Sequence, residues 1–341
     1  MEKKSQLIKN VLKVALEVVD NPREQEIISS RFGLNGKKET LEQIGERLNI
    51  TRERVRQLEK AALIRLKIAA EKGVIEGLAE IEKAIIRILA ENGRIIKVKQ
   101  LTDIFFENEK ADSAVLIFLS EVSAKLIFVP ENDKYHAAIA NADYGDERKI
   151  KASIDEIVNI IKKQKSPITL DDLDSKLAYE HPSQINAMAS ISKLLATLGG
   201  KWGLEKWPEV NPKNIRDKIF VVLGEEKKPM HFSEIAEKIQ ASNFSRKEVT
   251  TQAIHNELIK DKRFVLIGRG IYALDIWGFK KGTVADIIEA VLQEAGEPLF
   301  RDEIVKRVLE KRKVKETTVL LNLQSKKQFK RVAKATYQLA K

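Results

Sequence analysis

No cysteine occurs among the 341 residues, which excludes disulfides and thiolate metal sites. Aromatic residues are scarce at 6%, and no apolar run approaches the roughly 20 residues that a membrane-spanning helix needs. The first segment, MEKKSQLIKNVLKVALEVVD, carries charges throughout at a helical period. It lacks the apolar stretch and small-residue cleavage site of a signal peptide. A cytoplasmic protein without a membrane partner is therefore expected. Histidine is sparse too: His136, His181, His231 and His255 read as belonging to different units, with no His-x-x-x-His or His-Glu pairing for a metal. No glycine-rich phosphate loop appears, Gly199-Gly200 being isolated. The carboxylate pairs Asp171-Asp172 and Glu225-Glu226 read as helix starts or loops, where dipole and solvation account for them. With no converging set of titratable groups, the chain is expected not to be an enzyme and to need no cofactor.

Charge, by contrast, is abundant. Charged side chains make up 33% of the chain and the net charge is +11. It sits at the ends: residues 1–73 carry a balance of +5 and residues 280–341 one of +7, leaving −1 between them. Such a distribution fits a polyanionic partner. The length calls for several domains, since a single core seldom grows past about 250–300 residues.

The most informative stretch is residues 40–66, TLEQIGERLNITRERVRQLEKAALIRL. Thr40 is a good N-cap and Gln43 completes a capping box. Leu41, Ile44 and Leu48 share one helical face, Asn49-Ile50 breaks the pattern, and Thr51 can cap a second helix. In that helix Val55, Leu58, Ala62 and Leu66 form the stripe to be buried. Opposite them lie Glu53, Arg56, Gln57 and Lys60, with Arg52 and Arg54 in the first turn. An exposed helix with these side chains near its N-terminus can read base edges in a major groove. Upstream, Asn21 reads as a cap, Pro22 as the first helical residue and Glu24 as the partner in a second capping box.

These residues resemble region four of the sigma-70 family of bacterial transcription initiation factors. Thr40-Leu41-Glu42-Gln43-Ile44-Gly45 and Ile50-Thr51-Arg52-Glu53-Arg54-Val55-Arg56-Gln57-Leu58-Glu59 follow that family's motif. Asn21-Pro22-Arg23-Glu24 and Arg31-Phe32-Gly33-Leu34 follow its preceding helix. The resemblance covers about residues 18–70. It implies that Arg52, Glu53 and Gln57 read bases of a −35-type promoter element. It places Leu41, Arg54 and Arg56 at or near the phosphate backbone, with Thr51 and Lys60 completing the contacting set. Arg suits guanine, Glu a cytosine amino group and Gln adenine. The family often has a further basic residue where Ala61 and Ala62 stand, so one contact is missing from the pattern. An alternative role for Arg54 is an ion pair with Glu46 or Glu59. The resemblance also implies a contact with the β flap of RNA polymerase core. No aromatic-rich basic helix of the kind that melts promoters is present; Phe105-Phe106 reads as core.

Beyond residue 75 a repeat is visible, each unit reading as three helices followed by a β pair. The markers are Phe128 and Tyr135, Phe264 and Tyr272, and Phe329 and Tyr337, at hairpin spacing. Residues 149–209 form a more divergent copy, in which Trp202-Gly203-Leu204 and Trp207-Pro208 replace the hairpin signature. Residues 215–279 are similar to the HARE-HTH domain, a winged-helix module. The similarity rests on Pro229-Met230-His231-Phe232, Ala253-Ile254-His255-Asn256-Glu257-Leu258 and Gly268-Arg269-Gly270-Ile271-Tyr272. The expected architecture is mainly α, a multidomain array of helix-turn-helix and winged-helix units with small β-hairpin wings. Its divisions are 1–75 for the sigma-like module, 76–142 and 147–210 for two winged units (the second divergent), 211–279 for the HARE-like unit and 280–341 for a basic one. Hinges are expected near 141–147 and 211–214. The expected function is sequence-specific binding of double-stranded promoter DNA in transcription initiation, together with RNA polymerase. The alternatives are a partner-binding scaffold of winged helices and a DNA-modification or restriction-associated module.

Overall fold

The computed structural model describes residues 2–107, 113–177, 182–242, 244, 249–279 and 281–340. The chain divides into two compact bodies, Met1–Lys206 and Trp207–Lys341. It is mainly helical with small antiparallel three-stranded sheets, as a tandem array of helix-turn-helix and winged-helix units requires. No described helix is long and apolar enough to cross a membrane.

The first body begins with four helices, α1 (Glu2–Glu17), α2 (Pro22–Phe32), α3 (Leu41–Leu48) and α4 (Arg52–Glu71). In α1 the buried residues Ile8, Val11 and Ala15 recur at helical spacing. Asn21 caps α2, but its side chain accepts from the backbone N–H of Arg23. Glu24 does not close the expected second capping box. Its buried carboxylate instead pairs with Arg65 on α4, tying the two helices together. Thr40 and Gln43 do form their capping box at the start of α3.

Two cores meet at α2. Ile27 joins Ile44 and Val55 in a small cluster flanked by Leu41, Leu48, Ile50 and Leu58. The adjacent Ile28 faces a larger core that takes in α1, the second half of α4 (Ala62, Leu66, Ala69) and residues up to Ile139. Apolar packing is therefore continuous across residue 75.

Four winged units follow, each with the order helix, short strand, helix, helix, hairpin. The first comprises α5 (Leu78–Glu91), β1 (Ile95–Lys97), α6 (Val98–Phe105), α7 (Ser113–Val122), β2 (Leu126–Val129) and β3 (Ala138–Asn141). The second comprises α8 (Glu147–Gln164), β4 (Ile168–Thr169), α9 (Leu170–Asp174), α10 (Pro182–Ile191), β5 (Leu195–Leu198) and β6 (Lys201–Leu204). In the second body the third unit runs through α11 (Ile215–Glu226), β7 (Met230–His231), α12 (Phe232–Ala241), α13 (Thr251–Lys260), β8 (Phe264–Gly268) and β9 (Ile271–Leu274). The fourth runs through α14 (Val284–Ala295), β10 (Leu299–Phe300), α15 (Arg301–Lys311), α16 (Glu316–Ser325), β11 (Phe329–Ala333) and β12 (Thr336–Leu339).

In every sheet the last strand lies in the middle and the short strand after the first helix forms one edge. Equivalent residues occupy the centre. Ile139, Trp202, Tyr272 and Tyr337 are all buried and pair with Ile96, Ile168, Met230 and Leu299 respectively. The Phe–Tyr spacing locates the hairpins at 264–274 and 329–339, but it fails in the first unit. There the return strand is 138–141, and Tyr135 instead bridges to Ser192 of the next unit. In the divergent unit the hairpin is intact. Gly199 and Gly200, at φ 57° and 75°, make the two-residue turn between β5 and β6. Trp202 is buried on β6 and its indole N–H donates to Asn186 at 3.2 Å, whereas Trp207 lies half-buried beyond the sheet. The expected hinge at 141–147 holds a short 3-10 turn and the Asp146 cap of α8.

Glu225-Glu226 end α11 and do not begin a helix; Glu226 is paired with Lys228 and Lys238. His231 and His255 belong to one unit, where both rings pack at a tilt against Phe232, with centroids 4.4 and 4.6 Å away. His181 lies outside the described residues.

Candidate nucleic-acid interface

The helix-turn-helix is closed by one tight contact. Gly45 packs so near the turn that an added Cβ would lie 2.7 Å from the Ile50 carbonyl oxygen. The Gly45 carbonyl also accepts from the Ile50 N–H at 2.9 Å, and Asn49 takes the left-handed conformation that reverses the chain. Thr51 then starts α4 by accepting from the Arg54 N–H.

Ion pairs and hydrogen bonds also cross between the three helices around the small core. Arg47 on α3 pairs with Glu39 at 2.8 Å and with Glu26 on α2, and donates to the Ser30 hydroxyl. Arg23 donates to the Leu48 carbonyl at the end of α3, and Arg31 pairs with Glu59 at 3.2 Å. Burial pushes the Glu59 carboxyl above its ordinary value, against the pull of Arg31. Sequence reasoning missed these clamps because their partners lie 8 to 28 residues apart and no local spacing marks them.

The N-terminal half of α4 is left free. Arg52, Glu53, Arg54, Arg56, Gln57 and Lys60 are all exposed, while Val55, Ala62 and Leu66 are fully buried on the opposite side. All six expected contact residues of this helix therefore share one accessible surface. Thr51 is exposed at the helix start. Leu41, at the first position of α3, is half-buried against the small core, so its side chain serves packing and only the helix end it occupies faces outward.

The exposed groups bond to one another. Arg56 donates to both oxygens of Glu53 at 2.8 and 2.6 Å, Arg54 donates to Gln57 at 3.3 Å, and Arg52 sits 3.7 Å from Glu42. Arg54 thus meets neither Glu46 nor Glu59, the latter being held by Arg31. The hydrogen bond from Arg56 holds the Glu53 carboxyl below its ordinary range and raises the Arg56 guanidinium. Glu53 is consequently an ionised, acceptor-only group near neutral pH, as recognition of an amino group requires. Exposed pairs of this kind are screened by solvent and contribute little, so exchanging them for nucleic-acid contacts costs little.

The second half of α4 is anchored in the large core through Ala62, Leu66 and Ala69. A helix of 20 residues, about 30 Å long at 1.5 Å per residue, is thereby gripped at one end and presented at the other. Ile64 and Ile68, one turn apart beyond the polar face, remain 49% and 45% exposed. No group of three or more metal-binding side chains occurs among the described residues.

Comparison with known proteins falls on this same segment. A profile of the family described as Sigma-70, region 4 matches residues 21–67. The chain is 43% identical over 75 residues to RNA polymerase sigma factor SigA of a Nostoc species, covering 21% of this chain and 19% of that protein. It is 49% identical over 47 residues to SigA of Clostridium acetobutylicum, covering 14% and 12%. It is 46% identical over 66 residues to RpoD of Helicobacter pylori, covering 18% and 10%. The chain thus spans about a fifth or less of the length of the curated relatives it matches.

Proposed function

We propose that the chain is a sigma-like DNA-binding protein of transcription initiation, in which α4 reads a −35-type promoter element. One observation carries this reading: the residues matched to sigma-70 region 4 are the ones that fold into a capped helix-turn-helix with a free polar face. Arg52, Glu53 and Gln57 meet base edges, and Arg54, Arg56 and Lys60 hold phosphates and set register. RNA polymerase core is the protein partner, through its β flap, and the exposed Ile64 and Ile68 offer that contact an apolar surface. The relatives' names, all RNA polymerase sigma factors, support the pairing with polymerase.

The test is footprinting of promoter DNA by the full chain, with and without core polymerase, alongside Arg52→Ala and Gln57→Ala. Each substitution should weaken promoter binding by about 1–3 kcal/mol and relax the preference at a single base pair. Equal binding of promoter and random duplex by the wild type would sink the reading.

A second reading, a scaffold of winged helices, is favoured in the first two units by what their hairpins touch. Tyr135 is buried, and the backbone of 134–136 bonds to residues 191–193. Desolvation and a hydrogen bond to Asp155 push the Tyr135 hydroxyl well above the phenol range. A wing spent on a neighbouring unit is unavailable to a groove. The HARE-like character of 215–279 fits either a DNA or a partner-binding role.

A further inference from the structure

The fourth winged unit differs from the other three in what its wing carries, and from two of them in what covers it. From Thr317 to Lys341 the chain holds six basic residues and no acidic one. Four of them, Lys327, Lys330, Arg331 and Lys334, lie on or beside the β11–β12 hairpin, and all four are exposed. Among the described residues none of these four forms an ion pair. The other hairpins, 195–204 and 264–274, carry one basic residue each, and the 126–141 wing combines Lys134 with Glu131 and Asp133.

Two of those other wings are also occupied. The first is bonded to residues 191–193. The third has its edge strand β8 bonded by the Lys313 N–H to the Ile267 carbonyl at 3.0 Å. Its Val265, Ile267 and Ala273 are buried with Trp277 and Phe279. The fourth wing has no such cover. Residues 330–333 of β11 are exposed one after another, whereas a strand lying on a core would bury every second side chain. β11 beyond Phe329 therefore stands clear of the core, while β12 keeps Tyr337 buried in it and the turn is tied to α15 by the Arg301 N–H on the Ala335 carbonyl.

Helix α16 lies in the same unit, packed on α14 and α15. Thr317, Leu321 and Gln324, at i, i+4 and i+7, form an exposed stripe, with Leu321 63% accessible. Its one acidic residue, Glu316, is confined to the first helical position. A hydroxyl, an amide and an apolar side chain beside unpaired cations suit base edges and thymine methyls flanked by phosphates. The Thr317 hydroxyl and the Gln324 amide each both donate and accept, which base edges use in full and acceptor-only carboxylates use only in part.

We propose that this fourth unit, residues 284–339, is a second duplex-DNA-binding module, separate from the one on α4. Its wing lysines neutralise phosphates and α16 faces the major groove. The proposal goes beyond the promoter-reading role and does not require it.

The test uses the full chain and a random-sequence duplex, titrated across a range of salt. The wing variant is Lys327→Gln/Lys330→Gln/Lys334→Gln. The control, Lys162→Gln/Lys163→Gln/Lys165→Gln, removes equal charge from an exposed helix end in the other body. Both are also made in the Arg52→Ala/Gln57→Ala background. In either background the wing variant should bind more weakly, and its slope of log K against log salt should be shallower by up to about 2.7, at about 0.9 for each phosphate no longer neutralised. The control should leave the slope unchanged. A wing variant that matches the control overturns the proposal. So does one that aggregates at unchanged duplex affinity, since edge-strand lysines then only guard against strand pairing. Preference of the wild type for anionic vesicles or single-stranded RNA over the duplex, lost in the wing variant, would overturn it as well.

Discussion

Gly45 shows how much of the candidate interface depends on single atoms. Alanine there gains about 1 kcal/mol of helix propensity over glycine. The added Cβ would nevertheless meet the backbone oxygen of Ile50 at 2.7 Å, and backbone cannot swing aside as a side-chain tip can. Overpacking of this kind costs about 1–3 kcal/mol, so the clash should outweigh the propensity gain. We expect Gly45→Ala to lower the thermal midpoint and to weaken duplex binding, since α4 must move to relieve it; an unchanged melt would refute the contact. The face on α4 was legible from sequence because Thr51, Val55, Leu58 and Ala62 declare it locally. The pairing within that face was not: Arg54 turns to Gln57 and Arg56 to Glu53, choices set by rotamers that no spacing rule specifies.

Among the elements, helices with side-chain caps were readable, as with Thr40 and Gln43. The strands β1, β4, β7 and β10 were not. Each is two or three residues long and exists because it pairs with a strand 32 to 45 residues further on. Tyr135 misled the sequence reading for a related reason: its aromatic ring marks burial against another unit and not a strand. Long-range pairing also fixes α11 to α13 and β8. Arg263 bridges Asp261 and Asp217 and lies over the rings of Phe220 and Phe264. The hydrogen bond from Arg263 holds the Asp261 carboxyl below its ordinary value. A depressed carboxylate stabilises the fold fully above the unfolded-state pKa, about 4. That stabilisation is lost as pH falls through the lower folded value. Acid titration of unfolding should therefore show a loss of stability below pH about 4 that Asp261→Asn removes, while the variant is less stable than wild type at neutral pH. A variant with the same acid profile as wild type would exclude the linkage.

At the scale of the molecule, the apolar continuity from Ile8 to Ile139 ties the candidate interface on α4 to a core shared with the first winged unit. Leu66 is fully buried where α4 enters that core. Leu66→Ala should cost about 2–5 kcal/mol and weaken promoter binding at temperatures where wild type is folded. Binding retained after loss of helical signal would show that the reader folds without its anchor. The uneven charge was visible in the sequence, but which wings were already spent was not, because that depends on where residues 191–193 and Lys313 come to lie. The difference carries over to proteolysis. Cleavage requires several residues of backbone to leave their hydrogen bonds and enter a protease cleft. The Lys134 side chain is exposed, but its carbonyl accepts from the Lys193 N–H and the His136 N–H donates to the Ile191 carbonyl. Lys334 occupies the exposed two-residue tip of a hairpin, tied to its own unit there by the bond from the Arg301 N–H to the Ala335 carbonyl. Brief trypsin treatment should therefore cut after Lys334 well before Lys134, and peptide mapping would reveal the order. A chain trimmed there would keep its first body whole and lose its last β-strand.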